Sequence, residues 1–342
     1  MDKIQIANIL LTRRCNLRCD YCSIVKDNDD KPIQYPTIKH YRDNEISVGE
    51  WKDRLLRLKA NNPNVFLIFY GGEPFLYNGL IELIQFCHEQ NLYYTIISNN
   101  TEAIQPKILE LYKELGTIRG FTASIDPILS EYLENRHDYD DDDSVVKTIA
   151  GFENLKKLKK MEIADDVVAE ITVSNSNYHY LYDTLKILSD AKIYSSITTL
   201  DLKKSQYYDF SNITDESLLV PKTQEVKELF EKIISDKSLL VHIPKVLLDL
   251  YNILPCNMKC DLNNRITNVT IDADGSLRLC LRIRGIKTPS CQFRDCIGAD
   301  GKITYKFQNC IKNDYVDMCM GCNWTCMMFT EKYTDKDIVE HV

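Results

Sequence analysis

Short apolar runs alternate with amphipathic segments of helical periodicity through the first 200 residues of the chain. The apolar runs are rich in β-branched and aromatic residues, which is typical of strands that are covered on both faces of a sheet. The pattern predicts six strands, at residues 4–11, 65–70, 92–98, 117–125, 167–173 and 193–200.

The segments between these strands carry helix signals. Ser47 followed three residues later by Glu50 is a capping-box pattern, and Pro106 suits the first turn of another helix. Cys87 falls in the apolar stripe of a third helix, where we expect a buried apolar residue and not a ligand. Repeated strand–helix units predict an α/β fold with parallel strands and right-handed crossovers, arranged as a partial (β/α)6 TIM-like barrel.

The pattern changes twice further along the chain. We predict a core at residues 1–220, a helical linker at 221–255 and a cysteine-rich C-terminal domain at 256–342. The C-terminal part has few periodic apolar residues, so metal ligation is expected to supply much of its folding energy.

Composition excludes some classes of function. Hydrophobic residues make up 44% and charged residues 27% of the chain, ordinary values for a globular protein. The formal charge of −8 argues against a long nucleic-acid interface, which usually needs a basic surface. The apolar run at residues 6–11 is too short for a signal-peptide core or a membrane span, so we expect a cytoplasmic protein with no membrane partner.

Cysteine is the unusual residue type. Of the 13 cysteines, three lie within residues 15–22, one is Cys87, and nine lie between residues 256 and 326. An odd number of clustered cysteines without an export signal favours metal or iron–sulfur ligation over disulfides.

The N-terminal cluster consists of Cys15, Cys19 and Cys22. A closed zinc or iron–sulfur site takes four ligands, and the next cysteine is Cys87. A structural zinc would need another ligand nearby, and the nearest histidine is His40. Three thiolates on a cubane cluster would leave one iron open, in a loop that follows the first strand and therefore lies on the rim where barrel enzymes form their active sites.

This Cys-x3-Cys-x2-Cys spacing, with Tyr21 directly before the third cysteine, resembles the signature of the radical S-adenosylmethionine (radical SAM) superfamily. The resemblance implies that Cys15, Cys19 and Cys22 bind a [4Fe–4S] cluster and that S-adenosylmethionine (SAM) chelates the open iron. It also implies reductive cleavage of SAM to a 5′-deoxyadenosyl radical, which abstracts hydrogen from a substrate.

Motifs at the ends of the next predicted strands extend the resemblance. The "GGEP" after the second strand resembles the family's glycine-rich motif, which receives the methionine ammonium group. The "SNNT" at 98–101 takes the place of Thr-Asn-Gly, with Asn100 suited to a left-handed turn, and "SIDP" at 124–127 resembles Ser-Ile/Leu-Asp-Gly. The cofactor-binding residues implied are Tyr21, Gly71, Gly72, Glu73, Pro74, Asn99, Ser124, Asp126 and Arg136.

The C-terminal cysteines form a second field. The stretch "VTIDADGSLRLC" predicts a β-hairpin with Asp-Gly at its turn, which would bring Cys280 close to Cys260. A later Cys-x2-Cys at Cys319 and Cys322, followed by Cys326, would complete the site. The spacing by itself suits zinc and iron–sulfur equally well.

The same region resembles the SPASM and Twitch extensions of radical SAM enzymes. This resemblance implies one or two auxiliary [4Fe–4S] clusters. The ligands that it implies are Cys256, Cys260, Cys280, Cys319, Cys322 and Cys326, and a second set could consist of Cys256, Cys291, Cys296 and Cys310.

Relatives with such extensions act mostly on peptides and proteins, as ribosomal peptide maturases and sulfatase maturases do. Oxidation or cross-linking of a peptide is therefore the leading expectation, and the same chemistry on a sugar, aminocyclitol or nucleoside is the alternative. A non-catalytic electron carrier or metal scaffold would leave the triad and the strand-end motifs unexplained together.

The resemblance further implies a flavodoxin- or ferredoxin-type reductant. Because the first strand begins near residue 4, a leader-peptide-binding unit is expected to be absent or to be a separate protein. The sequence nominates no catalytic acid or base.

Overall fold

Strands and helices alternate along the chain in a computed structural model of the protein. The structure describes residues 4–19, 21–22, 24, 38–101, 104–116, 118–128, 143–162, 164–200, 216–243, 247–248, 251, 268–278, 293–300 and 302. The strands are β1 Ile6–Thr12, β2 Phe66–Gly71, β3 Tyr93–Ser98, β4 Ile118–Ile125, β5 Ala164–Val173, β6 Tyr194–Thr199, β7 Val241–His242, β8 Asn268–Ile271 and β9 Leu277–Arg278.

The helices lie mostly between these strands. They are α1 Ile38–Asp43, α2 Val48–Asn61, α3 Leu80–Glu89, α4 Gln105–Leu115, α5 Asp143–Met161, α6 Leu181–Asp190, α7 Gln224–Ser235 and α8 Phe293–Cys296. Single 3-10 turns are found at Pro74–Leu76, Tyr178–Tyr180 and Glu216–Leu218.

All the described strands belong to one sheet, in the order β7-β6-β5-β4-β3-β2-β1-β8-β9. Neighbouring strands from β1 to β6 pair in parallel and in chain order, as the strand–helix alternation predicts. β7 extends this parallel set beyond β6, and β8 extends it beyond β1, so that eight strands run parallel. Parallel order brings the carboxyl ends of β1 to β6 to a common edge of the sheet.

Local signals in the sequence correspond to the observed helix starts. The Ser47 hydroxyl accepts a hydrogen bond from the backbone N–H of Glu50, and the Glu50 carboxylate accepts one from the N–H of Ser47, which confirms the capping box of α2. Pro106 lies in the first turn of α4. Trp51 of α2 is fully buried in the core, and so is Cys87 of α3, which confirms the burial expected of this residue.

The predicted C-terminal hairpin is present as β8 and β9, which pair antiparallel. Gly275 occupies its turn with φ of 77°, a left-handed conformation that favours glycine. A Cβ at Gly275 would lie 2.3 Å from Nη2 of Arg54, so a larger residue in the turn would displace the end of this side chain of α2. Because β8 pairs with β1, the hairpin extends the core sheet, while the domain boundaries at residues 220 and 255 remain a prediction.

A buried ion pair fastens this hairpin to the end of β1. Arg13 follows β1 and Asp272 follows β8, and neither side chain is exposed to solvent. The guanidinium donates from Nη2 to one carboxylate oxygen at 2.8 Å and from Nε to the other at 3.2 Å. The Arg13 guanidinium also stacks 4.0 Å from the ring centroid of Tyr41. Sequence analysis singled out neither Arg13 nor Asp272.

We expect Asp272→Ala to destabilise the fold by about 3–5 kcal/mol, because it leaves the Arg13 charge buried without its partner. The free energy of unfolding in urea measures this effect. Asp43→Ala is the matched control, since Asp43 pairs with Lys39 at the exposed surface, and we expect it to change stability little. Equal effects of the two substitutions would contradict the assignment.

Candidate active site

The loop that follows β1 carries the N-terminal cysteines. Cys15, Cys19 and Cys22 are free thiols that are partly exposed at the carboxyl edge of the sheet. The backbone N–H of Cys22 donates to the carbonyl of Cys19 at 3.0 Å and so forms a turn. The Cys15 sulfur accepts from the backbone N–H of Leu17 at 3.4 Å.

The three thiols share one loop but are not drawn into one cluster. In the described part of the chain, no three His, Cys, Asp or Glu side chains form a group that could hold a metal ion. Thiolates repel one another, and metal binding normally draws such ligands together. Burial raises the pKa of the Cys15 thiol, and the charges of Glu73 and Cys22 add to this effect.

The glycine pair after β2 lies against the end of β1. A Cβ at Gly71 would approach the carbonyl oxygen of Thr12 to 2.3 Å, so only glycine permits this contact. The backbone N–H of Gly72 donates to the same oxygen at 2.8 Å. Within the described residues, the two glycines thus let the backbone after β2 pack closely against the end of β1.

Glu73 is fully buried and joins the ends of three strands. Its backbone N–H donates to the carbonyl of Arg14, which follows β1, at 2.7 Å. Its carboxylate accepts from the Ser98 hydroxyl at 3.0 and 3.1 Å and from the Asn99 N–H at 2.9 Å, both at the end of β3. It also accepts from the N–H of Phe75 at 3.1 Å and so caps the 3-10 turn that begins at Pro74.

Burial raises the pKa of Glu73 to about 7, although the hydrogen bonds from Asn99, Phe75 and Ser98 act in the opposite direction. A carboxyl group without solvent contact favours its neutral form. Binding of the methionine ammonium group by Glu73 remains a prediction.

Asn99 connects the end of β3 to the cysteine loop. Its side-chain amide donates to the Cys15 sulfur at 3.5 Å and to the side-chain oxygen of Asn16 at 2.8 Å. The Asn16 amide in turn donates to the Thr101 hydroxyl at 2.8 Å. The "SNNT" stretch thus holds the first cysteine of the triad, and Asn16 is a member of this network that the sequence analysis missed.

Asn100 has the left-handed conformation expected from the sequence, with φ of 58°. Its side chain is buried, and its oxygen accepts from the Asn154 amide of α5 at 2.6 Å. The residue therefore serves the packing of α5 against the end of β3.

Tyr21 of the cysteine loop contacts Asp126, which follows β4. The Tyr21 hydroxyl lies 2.8 and 2.6 Å from the two carboxylate oxygens of Asp126, which is fully buried after β4. Lys147 of α5 completes the group, with its ammonium 2.6 Å from the Tyr21 hydroxyl and 2.9 Å from the Asp126 carboxylate. Burial raises the pKa of Tyr21 well above its ordinary value, and the Asp126 charge raises it further.

Sequence analysis did not identify Lys147. In the sequence, Lys147 lies on the same face of α5 as Gly151, Asn154 and Leu158, and these three residues all pack inward. A lysine in such a stripe is seldom fully buried unless it has a charged partner. The partner, Asp126, lies 21 positions away in the sequence, so the pair is visible only in the folded chain.

The remaining predicted site residues divide into two groups. Ser124 lies at the end of β4 and is partly buried. Cys296 is buried and disulfide-bonded, which corrects the expectation that it is open as a ligand of a second cluster. Other predicted residues lie entirely outside the described residues: Arg136, Cys256, Cys260, Cys280, Cys291, Cys310, Cys319, Cys322 and Cys326.

Comparison with known families identifies this arrangement. The model of the radical SAM superfamily matches residues 9–188, which include the cysteine loop and the ends of β1 to β5. The chain belongs to the radical SAM superfamily. Members of this family are enzymes that use SAM and a [4Fe–4S] cluster.

Two curated relatives illustrate the range of the family. The S-adenosylmethionine-dependent nucleotide dehydratase of Selenomonas ruminantium is 26% identical over 122 residues, which cover 35% of this chain and 39% of the dehydratase. The PqqA peptide cyclase of Methylobacterium nodulans is 24% identical over 269 residues, which cover 76% of this chain and 62% of the cyclase. The chain thus spans less than two thirds of either relative.

Among solved structures, the fold is similar to that of SuiB of Streptococcus suis bound to its precursor peptide SuiA. The TM-score is 0.60 at 14% sequence identity, and the match covers 92% of this chain and 67% of SuiB. At this identity the similarity establishes a shared fold.

The residues present suit an iron–sulfur cluster held by three ligands. Thiolates are the ligands that such clusters prefer, and Cys15, Cys19 and Cys22 are all reduced and reachable from solvent. The Asn99 amide already points at one of the sulfurs, as is common around protein-bound clusters.

No helix in the described ranges is long and apolar enough to span a membrane.

We expect Glu73→Gln to change how stability depends on pH in the chain without SAM. The folded-state pKa of about 7 lies above the ordinary value of 4.5, so the folded chain binds this proton more tightly than the unfolded chain does. The stabilisation is fully present below pH 4.5 and is lost as the pH rises to 7, by about 3 kcal/mol at 1.4 kcal/mol per pH unit.

The free energy of unfolding of the parent chain and of Glu73→Gln, measured from pH 4.5 to 7.5, gives the difference directly. The parent should lose stability relative to Glu73→Gln across this range. Glu82→Gln on the exposed face of α3 is the control and should follow the parent. A parallel pH dependence in Glu73→Gln and the parent would refute the prediction.

Proposed function

We propose that this protein is a radical SAM maturase that oxidises or cross-links a peptide. The observation that carries the proposal is the placement of three free thiols on one loop at the carboxyl edge of a parallel sheet, in a chain of the radical SAM superfamily. When bound, the cluster and SAM supply a 5′-deoxyadenosyl radical that removes hydrogen from an unactivated carbon.

The residues of the chain prepare the site for this chemistry. Cys15, Cys19 and Cys22 are the proposed cluster ligands, and Asn99 orients Cys15 through its amide. Glu73 holds the β1, β2 and β3 ends in register, so that the backbone of the glycine motif presents a fixed surface to the cofactor. Fixed positioning of this kind is the protein's main contribution to cofactor-dependent catalysis.

Support for a peptide substrate comes from two relatives. One is named a peptide cyclase, and the SuiB structure contains a precursor peptide. The alternative is the same chemistry on a small molecule such as a sugar, an aminocyclitol or a nucleoside. It is favoured by the nucleotide dehydratase, which matches a shorter part of the chain.

We further propose that the C-terminal cysteines form a SPASM- or Twitch-like unit with one or two auxiliary [4Fe–4S] clusters. The basis is the spacing of Cys260, Gly275 and Cys280 together with the hairpin that carries Gly275. A flavodoxin- or ferredoxin-type protein is the proposed electron donor.

We expect the anaerobically reconstituted protein to convert SAM to 5′-deoxyadenosine and methionine when dithionite is present. Cys19→Ala should abolish this activity, because the cluster loses one of its three protein ligands. Chromatography of the products measures both chains under the same conditions. If the parent forms no more 5′-deoxyadenosine than Cys19→Ala, the radical SAM activity is excluded.

We expect a short precursor peptide, encoded beside the gene, to lose hydrogen on incubation with the reduced enzyme and SAM. Mass spectrometry of the peptide detects the change, and the same incubation with Cys19→Ala is the control. An unchanged peptide mass, together with SAM cleavage that small molecules stimulate, would favour the small-molecule alternative.

A further inference from the structure

Lys147 is a buried cation that the proposed function does not require. It lies in the second turn of α5, and its side chain is 4% exposed, while that of its partner Asp126 is 1% exposed. Burying an ion pair removes both charges from water and rarely increases stability over an apolar pair. The free-energy cost of burying this ion pair suggests that Lys147 does more than hold α5 on the sheet.

The third member of the group belongs to the cysteine loop. Tyr21 stands between Cys19 and Cys22, inside the turn closed by the hydrogen bond between these two residues. Its hydroxyl receives a hydrogen bond from the Lys147 ammonium at 2.6 Å and donates to the Asp126 carboxylate. The ammonium also lies 5.2 Å from the centroid of the Tyr21 ring.

Cys19 is close enough to act on this group. Burial lowers the pKa of Lys147, but the charges of Asp126, Tyr21 and Cys19 outweigh this effect and raise the pKa well above its ordinary value. The Asp126 carboxylate, 2.9 Å from the ammonium, is the charge that lies closest to Lys147 in this group.

Asp126 is itself held by α5 through hydrogen bonds to its backbone. The backbone N–H of Asp126 donates to the hydroxyl of Thr148 at 2.8 Å, and this hydroxyl lies 3.1 Å from the carbonyl of Asp126. Two successive residues of α5 thus hold the end of β4, one through the side chain of Asp126 and one through its backbone. The cysteine loop is connected to the end of β4 by the hydrogen bond from the Tyr21 hydroxyl to Asp126.

We propose that Lys147 is a positioning residue for the [4Fe–4S] cluster, holding the Cys19–Cys22 turn through Tyr21 and Asp126 so that both thiolates face one cluster. The inference rests on the proposed function, since it requires the cysteine loop to bind a cluster. Asn99 holds Cys15 from β3, and Lys147 holds the other two ligands from β4 and α5.

The test measures how firmly the reconstituted full-length protein retains its cluster. Iron release to a chelator is followed for the parent, Lys147→Met, Tyr21→Phe and the double variant. Cys19→Ala defines the iron that does not belong to this cluster. We expect each single variant to release iron about 10- to 100-fold faster, the usual range when a residue that orients a metal ligand is lost.

The double variant distinguishes positioning from independent effects. Because Lys147 and Tyr21 act through one contact, the double variant should release iron no faster than the more affected single variant. Multiplied effects of the two substitutions would overturn the proposal. Lys186→Met on α6 is the matched control, since Lys186 lies at the surface, and it should retain iron like the parent.

A further variant separates positioning from folding. Lys147→Met leaves the Asp126 carboxylate buried without its ion pair to Lys147, whereas Lys147→Met with Asp126→Asn removes both charges. We expect the double variant Lys147→Met with Asp126→Asn to unfold with heat as cooperatively as the parent. It should still release iron fast, because the Cys19–Cys22 turn has lost its contact with Lys147. Iron retention equal to the parent's in a folded Lys147→Met chain, or in this pair, would overturn the proposal.

The electron paramagnetic resonance signal of the reduced cluster gives a second readout. We expect it to change on addition of SAM in the parent and to respond less in Lys147→Met. If the parent takes up no iron beyond Cys19→Ala, the proposed function fails and this inference fails with it. If the parent holds the cluster and the variants match it in iron release and signal, the inference alone fails.

Discussion

The carboxylate of Glu73 is the interaction on which the described site depends. It is fully buried and accepts hydrogen bonds from the end of β3, while its own backbone N–H reaches the loop after β1. One residue thus holds the ends of three parallel strands in register. Asn99, which donates its backbone N–H to this carboxylate, donates its amide to the Cys15 sulfur, so the position of the first thiol follows from the same contact.

Two buried ion pairs hold the cysteine loop from opposite sides. Arg13 and Asp272 fasten its beginning to the C-terminal hairpin, and the pair of Lys147 and Asp126 connects Tyr21 to β4 and α5. Removing one partner of a buried ion pair strongly destabilises the fold, because the other charge is then left buried. The cysteine loop is therefore held at Arg13 and at Tyr21, although its thiols are partly exposed.

This arrangement bears on how the proposed enzyme would use its C-terminal region. The hairpin at residues 268–278 is part of the same sheet as the cysteine loop, through the pairing of β8 with β1. An auxiliary cluster on cysteines that follow this hairpin would be attached to the core through a continuous hydrogen-bonded sheet.

Local patterns in the sequence determined the order of strands and helices, the capping box at Ser47, the hairpin turn at Gly275 and the cysteine triad. These features depend on neighbouring residues, so periodicity, turn chemistry and motif spacing reveal them. The partners of the buried charges are different, since Arg13 and Asp272 are separated by 259 positions and nothing in either local segment indicates the other. Only the tertiary structure brings them together, because the cost of burying a charge is decided by what the fold places opposite it.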